Sequence, residues 1–344
     1  MYRELFIKDF SRLGELLLNI TSEVNGRNLL SDAIEDSFRE NPLFARELQL
    51  NAIRSIAITY LSEEALRKWT EGYKSQISES SSVVSVIMAG NIPLVGFHDM
   101  LTVLACGRRT EIKLSSKDRY LLPAIVTLLS DINSYWNDRI DFCSFAGENS
   151  KIVIATGGDQ SVTIFSEMFK EVPSIIRGSR SSIAVLSGKE SHDDIERLAM
   201  DMFLYYGRGC RSVSTIMLPV GSCAGKLAKE LSLISPFSDD EAFMDNCRYQ
   251  RALATVSGEW FLDGGFFIFK NATTFPPPMG VIGIVWYSST SDIDNFIENN
   301  KESIQCIVNY ETSKGMIKYG YAQMPSLSDY ADGINSLEFI LKNS

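Results

Sequence analysis

The sequence predicts an α/β protein with a doubly wound parallel sheet, a second α/β domain, and a helical region at the N-terminus. Three observations lead there. From about residue 83 onward, short apolar runs of strand character alternate with helical patterns, the signature of a parallel sheet with crossover helices. The strand-like runs end in Gly- or Ser-rich turns, and in such sheets the crevice at the carboxyl ends of the strands takes the ligand. Before residue 78 the apolar residues fall only at helical spacing: Leu5, Phe6, Phe10, Leu13, Leu16 and Leu17, then Phe44, Leu48, Ile53, Ile56 and Ile58.

In chain order, strands are expected at 83–88, 112–114 and 151–155, with helices at 98–105, 120–132 and 161–169 between and after them. A second series follows: a strand at 183–186, a helix at 193–206, a strand at 214–219, a charged helical stretch, and a strand at 266–270. The chain is broken at Pro276-Pro277-Pro278, and a helix at 292–299, a strand at 304–308 and a helix at 333–341 complete it. This divides the protein into N-terminal helices with a first α/β domain (1–180), completed by part of 287–344, and a second α/β domain (181–286). There is no internal repeat and no low-complexity segment.

The chain has 344 residues, 45% of them apolar and 22% charged, ample for buried cores of globular type. Its net charge of −10 repels phosphate backbones and argues against a nucleic-acid-binding role, while leaving room for a local basic pocket. The start, MYRELFIKDFSR, lacks the apolar stretch of a secretory signal. No apolar run reaches the roughly 18 residues of a membrane helix. A cytoplasmic protein without a membrane span is therefore expected, and the sequon matches at Asn19 and Asn271 carry no weight. Six scattered cysteines without a CxxC pair read as thiols, and with two histidines no metal site is expected.

Four segments carry chemistry. In Gly207-Arg-Gly-Cys210-Arg211 a long helix ends on glycines and a cysteine precedes a strand. Such a turn lets a ligand approach the sulfur, and Arg208 and Arg211 would favour the nucleophilic thiolate. Read alone, a structural cysteine after a helix-ending glycine is the plainer account. Asn91, in Ala89-Gly-Asn-Ile-Pro93, can donate its amide to a developing oxyanion or merely cap the next helix. The turn Lys113-Leu-Ser115-Ser116-Lys-Asp118 suits a ribose or phosphate, or is a solvated charged turn. Thr156-Gly157-Gly158-Asp159 could present backbone N–H groups to a diphosphate, or be a tight turn with Asp159 as N-cap. No GxGxxG occurs, and Gly221-Ser-Cys-Ala-Gly225-Lys226-Leu227 falls short of a phosphate loop.

Taken together and in this order, these segments resemble the aldehyde dehydrogenase superfamily. Within it the chain is similar to the acyl-CoA reductases typified by the LuxC-type fatty-acid reductase subunit of bacterial bioluminescence. The narrower likeness is carried by GNIPLVGFHDML (90–101), EIKLSSKD (111–118), IAVLSGKE (183–190), GRGCRSVS (207–214), PPPMGVIGIV (276–285), IQCIV (304–308) and SLSDYADGINSLEF (326–339). The resemblance implies an aldehyde dehydrogenase-like fold and reduction of a fatty acyl-CoA to the aldehyde. Cys210 becomes the nucleophile that carries the acyl group as a thioester. Asn91 shares the oxyanion hole with the Cys210 N–H. The first domain becomes the NAD(P)-binding one, where Lys113 and Ser116 hold the adenosine ribose with Ser115 beside them in the cofactor site, and Thr156, Gly157 and Gly158 contact the diphosphate and nicotinamide; the second domain, with Cys210, becomes the catalytic one. It also implies an acyl-CoA or acyl-protein donor, a homo-oligomer, and an acyl-transferring partner.

Three departures refine this. Aldehyde dehydrogenases carry a water-activating Glu two residues before a Gly-Gly-Lys; in Val185-Leu-Ser-Gly-Lys189 the place is taken by Val185, which disfavours hydrolysis to an acid. The ribose-binding Glu of a Glu-x-Phe-Gly segment falls near Pro277. Ser116 stands where NAD-selective relatives often have a carboxylate, which together with Lys113 and Lys117 favours NADPH, with NADH the alternative. The rival readings are an aldehyde dehydrogenase that forms acids, a non-catalytic cofactor-binding subunit, and a Cys–His hydrolase using His98 or His192.

Overall fold

A computed structural model describes residues 1–22, 28–147, 150–234, 241–309 and 315–344. The chain forms two compact units, Met1–Gly178 with Pro325–Ser344, and Ser179–Met324.

The first unit opens with four helices, α1 (Tyr2–Ser22), α2 (Leu29–Glu40), α3 (Arg46–Thr59) and α4 (Glu63–Thr70). Along α1, Phe6, Phe10, Leu13 and Leu17 follow one stripe and are fully buried; burying each such side chain is worth about 1.5–3 kcal/mol. Phe6 and Phe10 meet Trp136 edge-on, with centroids 6.4 and 5.1 Å apart. The buried Asp9 on the same helix is satisfied by the Trp136 indole N–H at 3.0 Å and the Asn133 amide at 2.7 Å. Then β1 (Val83–Ile87), α5 (Phe97–Ala105), β2 (Arg109–Lys113), α6 (Leu121–Ile132), β3 (Ile140–Phe142), β4 (Ile152–Thr156), α7 (Asp159–Met168) and β5 (Ser174–Arg177) alternate. The five strands pair in parallel in the order β3-β2-β1-β4-β5. That is a doubly wound order whose direction reverses between β1 and β4, the point at which sheets of this kind take a ligand.

The second unit contains β6 (Ser181–Val185), α8 (His192–Phe203), β7 (Val213–Pro219), α9 (Ala224–Ser232), α10 (Glu241–Ser257), β8 (Phe261–Asp263), β9 (Ile268–Asn271), β10 (Val281–Tyr287), α11 (Thr290–Asn300), β11 (Ile304–Asn309) and β12 (Ile317–Lys318). Its seven-stranded sheet has the order β12-β11-β6-β7-β10-β9-β8, with only the β8–β9 pair antiparallel. The charged stretch expected after Pro219 resolves into α9 and α10, with 235–240 outside the described residues. The chain then returns to the first unit, where α12 (Ser336–Asn343) buries Leu337 and Ile340. The short strands β3 and β5 escape the sequence reading because each offers at most two apolar residues.

Candidate active site

The predicted cofactor residues of the first unit gather at one end of its sheet. Ile87 of β1 lies opposite Lys113 of β2 on one side and Ala155 of β4 on the other, about 5 Å away in each direction. The chain leaves these strands through the Asn91 loop, the Ser115–Asp118 turn and Thr156-Gly157-Gly158. Lys113 is half-buried and Ser116 and Lys117 are exposed. Ser115 is committed to its own turn, where its hydroxyl accepts the Lys117 N–H at 3.3 Å and its carbonyl accepts the Asp118 N–H at 3.2 Å.

Two local alternatives raised by the sequence are settled here. The N-cap of α5 is Gly96, with no side-chain hydrogen bond, so Asn91 does not cap that helix. The N-cap of α7 is Gly158, also without a side-chain bond, so Asp159 is the first helical residue and not the cap. The space around Gly158 is open: a Cβ there would meet nothing within 4 Å, whereas one on Gly157 would fall 2.7 Å from Ser161 Cβ. The bare N-terminus of α7 at an open glycine is a cradle of the kind a diphosphate occupies. Beside it, the buried Arg177 donates from Nη1 to both oxygens of the buried Asp99 at 2.8 Å. That pair ties the end of β5 to α5, while the Arg177 carbonyl accepts the Gly157 N–H at 3.1 Å.

Cys210 belongs to the second unit. Helix α8 ends at Phe203, and three consecutive residues, Tyr205, Tyr206 and Gly207, adopt left-handed backbone with φ of 56°, 56° and 67°. For two tyrosines this is a costly conformation, and such strain collects at functional turns. The turn delivers a half-exposed Cys210 just ahead of β7. Its carbonyl accepts a hydrogen bond from the fully buried Ser182 hydroxyl at 3.0 Å. The same hydroxyl accepts the Cys306 N–H at 3.2 Å and lies 3.0 Å from the Cys306 sulfur. Arg211 donates from Nε to the Ala322 carbonyl at 2.5 Å. That interaction anchors 320–322, whose Gly320 and Ala322 N–H groups bond the buried Asp201 at 2.6 and 2.9 Å. Neither Ser182 nor Cys306 stands out in the sequence, because the bulge in β11 that brings Cys306 to Ser182 has no local signature.

A cleft of about 170 Å³ lies along this turn, lined by Gly207, Arg208 and Gly209, by Pro276–Pro278 and by apolar side chains such as Phe267 and Val281. Among its described lining residues there is no carboxylate. The other thiols differ. Cys106 is wholly buried and desolvation pushes it far up. Cys247 is buried too, pushed up by desolvation to about 11, and donates to the Phe266 carbonyl at 2.8 Å. Cys223 is exposed.

Two sequence readings need correction or closer definition. Val185 cannot mark the place of a hydrolytic carboxylate. It is a buried residue in the middle of the second sheet, packed with Ile183, Met217 and Ile304, and its carbonyl accepts the Tyr319 hydroxyl at 2.9 Å. A strand end followed by a small-small-basic segment occurs instead at β5, in Ile176-Arg177-Gly178-Ser179-Arg180, where the residue two before the glycine is Ile176. His98 sits against Tyr60, Trp69 and Tyr330, with Nε2 at 3.0 Å from the Leu327 carbonyl. Burial lowers its pKa. His192 is exposed, 3.4 Å from Glu196. Among the described residues no group of three or more His, Cys, Asp or Glu side chains could hold a metal ion, and no helix is long and apolar enough to cross a membrane.

Comparison with known proteins places these features. The fold is that of the aldehyde dehydrogenases. An NAD-dependent benzaldehyde dehydrogenase from Corynebacterium glutamicum superposes with a TM-score of 0.62 at 13% identity, over 91% of this chain and 77% of that one. The NAD+ complex of an aldehyde dehydrogenase from Bacillus cereus gives 0.64 at 14% identity, over 91% and 72%. A long-chain acyl-protein thioester reductase from Aliivibrio fischeri is 25% identical over 174 residues, a segment that covers 45% of this chain and 36% of that relative. The family profile of the acyl-CoA reductases (LuxC) matches residues 61–233, just over half of the chain and a span that contains Asn91, Lys113, Ser115, Ser116, Thr156–Gly158 and Cys210 alike. The chain therefore belongs to the acyl-CoA reductase (LuxC) family.

Proposed function

We propose that the protein reduces a fatty acyl thioester to the aldehyde through an acyl-thioester on Cys210, with NADPH preferred over NADH. The single observation that carries this is the placement of Cys210: half-exposed, next to the cleft-lining Gly209, at the end of a strained left-handed turn. The Cys210 thiolate attacks the thioester carbonyl, the bond from that carbon to the donor's sulfur breaks, and the donor leaves as its thiolate. Asn91 and the Cys210 N–H steady the tetrahedral oxyanion, for which one donor is worth about 3 kcal/mol. A bound nicotinamide dinucleotide supplies the hydride.

The residues present fit such a cofactor. Open Gly158 and the bare start of α7 suit a diphosphate. Lys113 and Ser116 suit the adenosine ribose, and the exposed Ser116 and Lys117 suit a 2′-phosphate, since Ser116 stands where NAD-selective relatives often have a carboxylate. Thr156 lies toward the nicotinamide end. With Ile176 at the strand end that position supplies no carboxylate to activate water, which favours reduction of the thioester over its hydrolysis. This is the outcome that separates the protein from an acid-forming aldehyde dehydrogenase and from a Cys–His hydrolase.

The donor is an acyl-CoA or an acyl-protein; the name of the Aliivibrio fischeri relative favours the latter and a partner that transfers the acyl group. The free cysteines fit a reducing cytoplasm. A homo-oligomer would cover the exposed Ile164 and Met168 of α7, a helix with no buried residue. The test is twofold: a spectrophotometric series of acyl-CoAs from short to long chain with NADPH and NADH in parallel, and labelling by radioactive acyl-CoA with the cofactor withheld. Wild type should take up label and turn over, and Cys210→Ala should do neither. Undiminished turnover in Cys210→Ala would refute the mechanism, and a wild type that never takes up label would mark it as a non-catalytic subunit.

A further inference from the structure

We infer that Asp118 is a positioning residue for Asn91, locking the loop that carries it onto the turn that carries Ser115 and Ser116. The inference rests on the reading of Asn91 and Cys210 given above and assigns a part to a residue that reading leaves out.

The Asn91 loop and the Ser115–Asp118 turn leave neighbouring parallel strands, β1 and β2, paired up to Ile87 and Lys113. Asp118 is 7% exposed, and its Oδ2 accepts the backbone N–H of Leu94 at 2.7 Å. Leu94 has φ of 57°, a region that branched side chains seldom occupy, and its side chain is buried. A three-residue step after Asn91 is thus held in an unfavourable backbone conformation, and the carboxylate of Asp118 is the group that meets its N–H. On the other flank the loop touches the same turn at Gly90, where a Cβ would fall 2.6 Å from Ser115 Cβ and 3.2 Å from Lys117 Cβ. The two segments are in contact before and after Asn91.

The turn is braced from behind. Asn41 donates from its amide to the Lys117 carbonyl at 3.4 Å, and Arg119 pairs with Glu40 at 2.7 Å, so the N-terminal helices back the turn rather than only filling the core. The second carboxylate oxygen, Oδ1, is buried with no hydrogen-bond partner among the described residues. A buried oxygen left so is costly. The Leu94 bond itself needs a single acceptor at this position, one that an Asn side chain also supplies.

The test is a double-mutant cycle in the full-length protein: Asp118→Ala, Asn91→Ala and both together. It is read as the rate of Cys210 labelling by radioactive acyl-CoA without cofactor, and as kcat and KM in turnover. Asp118→Ala should slow labelling about tenfold to a hundredfold, the range lost when an oxyanion donor is displaced, with the fall in kcat rather than in KM. Asp118→Asn, which keeps an acceptor for Leu94, should retain most of the rate. In the Asn91→Ala background the Asp118→Ala change should have no further effect. Should Asp118→Ala not fold, Gly90→Ala displaces the same loop from its other flank and should show the same dependence on Asn91. An equal slowing by Asp118→Ala with and without Asn91 overturns the inference. So does wild-type labelling in both Asp118→Ala and Gly90→Ala while Cys210→Ala takes no label, and in that case the Cys210 reading stands. Undiminished turnover in Cys210→Ala overturns both.

Discussion

The ion pair between Asp99 and Arg177 offers the most direct energetic test of how the first unit is held together around its crevice. Both side chains are almost without solvent, and one Arg177 nitrogen reaches both carboxylate oxygens at 2.8 Å. Arg177→Met would leave the Asp99 carboxylate buried and uncompensated. Breaking a buried pair from one side costs about 3–5 kcal/mol, against a typical total of roughly 5–15 kcal/mol. For a unit of this size, about 2–4 °C per kcal/mol makes that a fall in melting temperature on the order of 10 °C. Replacing both partners, as Asp99→Leu with Arg177→Met, removes the stranded charge and should return most of the loss. Urea unfolding followed by tryptophan fluorescence reports on this unit in a Trp260→Phe, Trp286→Phe background, because Trp69 and Trp136 lie within it and the other two tryptophans lie in the second unit. If the double variant were as unstable as the two single losses added together, the pair would not be coupled and the argument would fail. The Arg177 carbonyl also holds Gly157, so dinucleotide binding should weaken in Arg177→Met and recover in the double variant.

Two further outcomes follow from the second unit. Burial pushes the Asp201 carboxyl up from 3.8 to about 6, against the lowering effect of the Gly320 and Ala322 N–H groups and of Arg211. Since the folded state holds the proton more tightly, stability is complete below pH ~4 and falls as pH rises to about 6, by about 3 kcal/mol at 1.36 kcal/mol per unit. Asp201→Asn should flatten that part of the stability–pH profile in chemical denaturation, and an unchanged slope would refute the assignment. Ser182→Ala removes the hydroxyl shared by the Cys210 carbonyl and the Cys306 N–H. It should cost about 1–3 kcal/mol of stability and lower the rate of Cys210 acylation, whereas Ser182→Thr, which keeps the hydroxyl, should preserve the acylation rate.

What the sequence makes legible follows from the range of the forces involved. The helices and most strands are written in local periodicity. The strand-end segments around Asn91, Lys113 and Thr156 can be found because a parallel sheet must turn where its strands end, and turns need Gly, Pro and small polar residues. The sequence reading of the Cys210 turn gets its glycines right but misses its strain, because two tyrosines in left-handed backbone violate local preference and only the packed surroundings hold them there. Asp118 reads as part of a charged turn, yet it is one of the least exposed acids of the first unit. Nothing within four residues of it announces Leu94, which meets it across two strands.

At Val185, too, the fold overrides residue identity, with a functional consequence. Matching Val185-Leu-Ser-Gly-Lys189 to a Glu-x-Gly-Gly-Lys pattern rests on residue identity alone, and the sheet shows that a carboxylate at 185 would lie among Ile183, Met217 and Ile304, where it could activate no water and could hardly ionise. The strand that ends on a comparable segment is β5, and its residue two before the glycine, Ile176, is again apolar. The proposed lack of a hydrolytic base therefore rests on Ile176 and not on Val185. Ile176→Glu is then the substitution that would bring a carboxylate to that strand end, whereas Val185→Glu would only place a charge in the hydrophobic core.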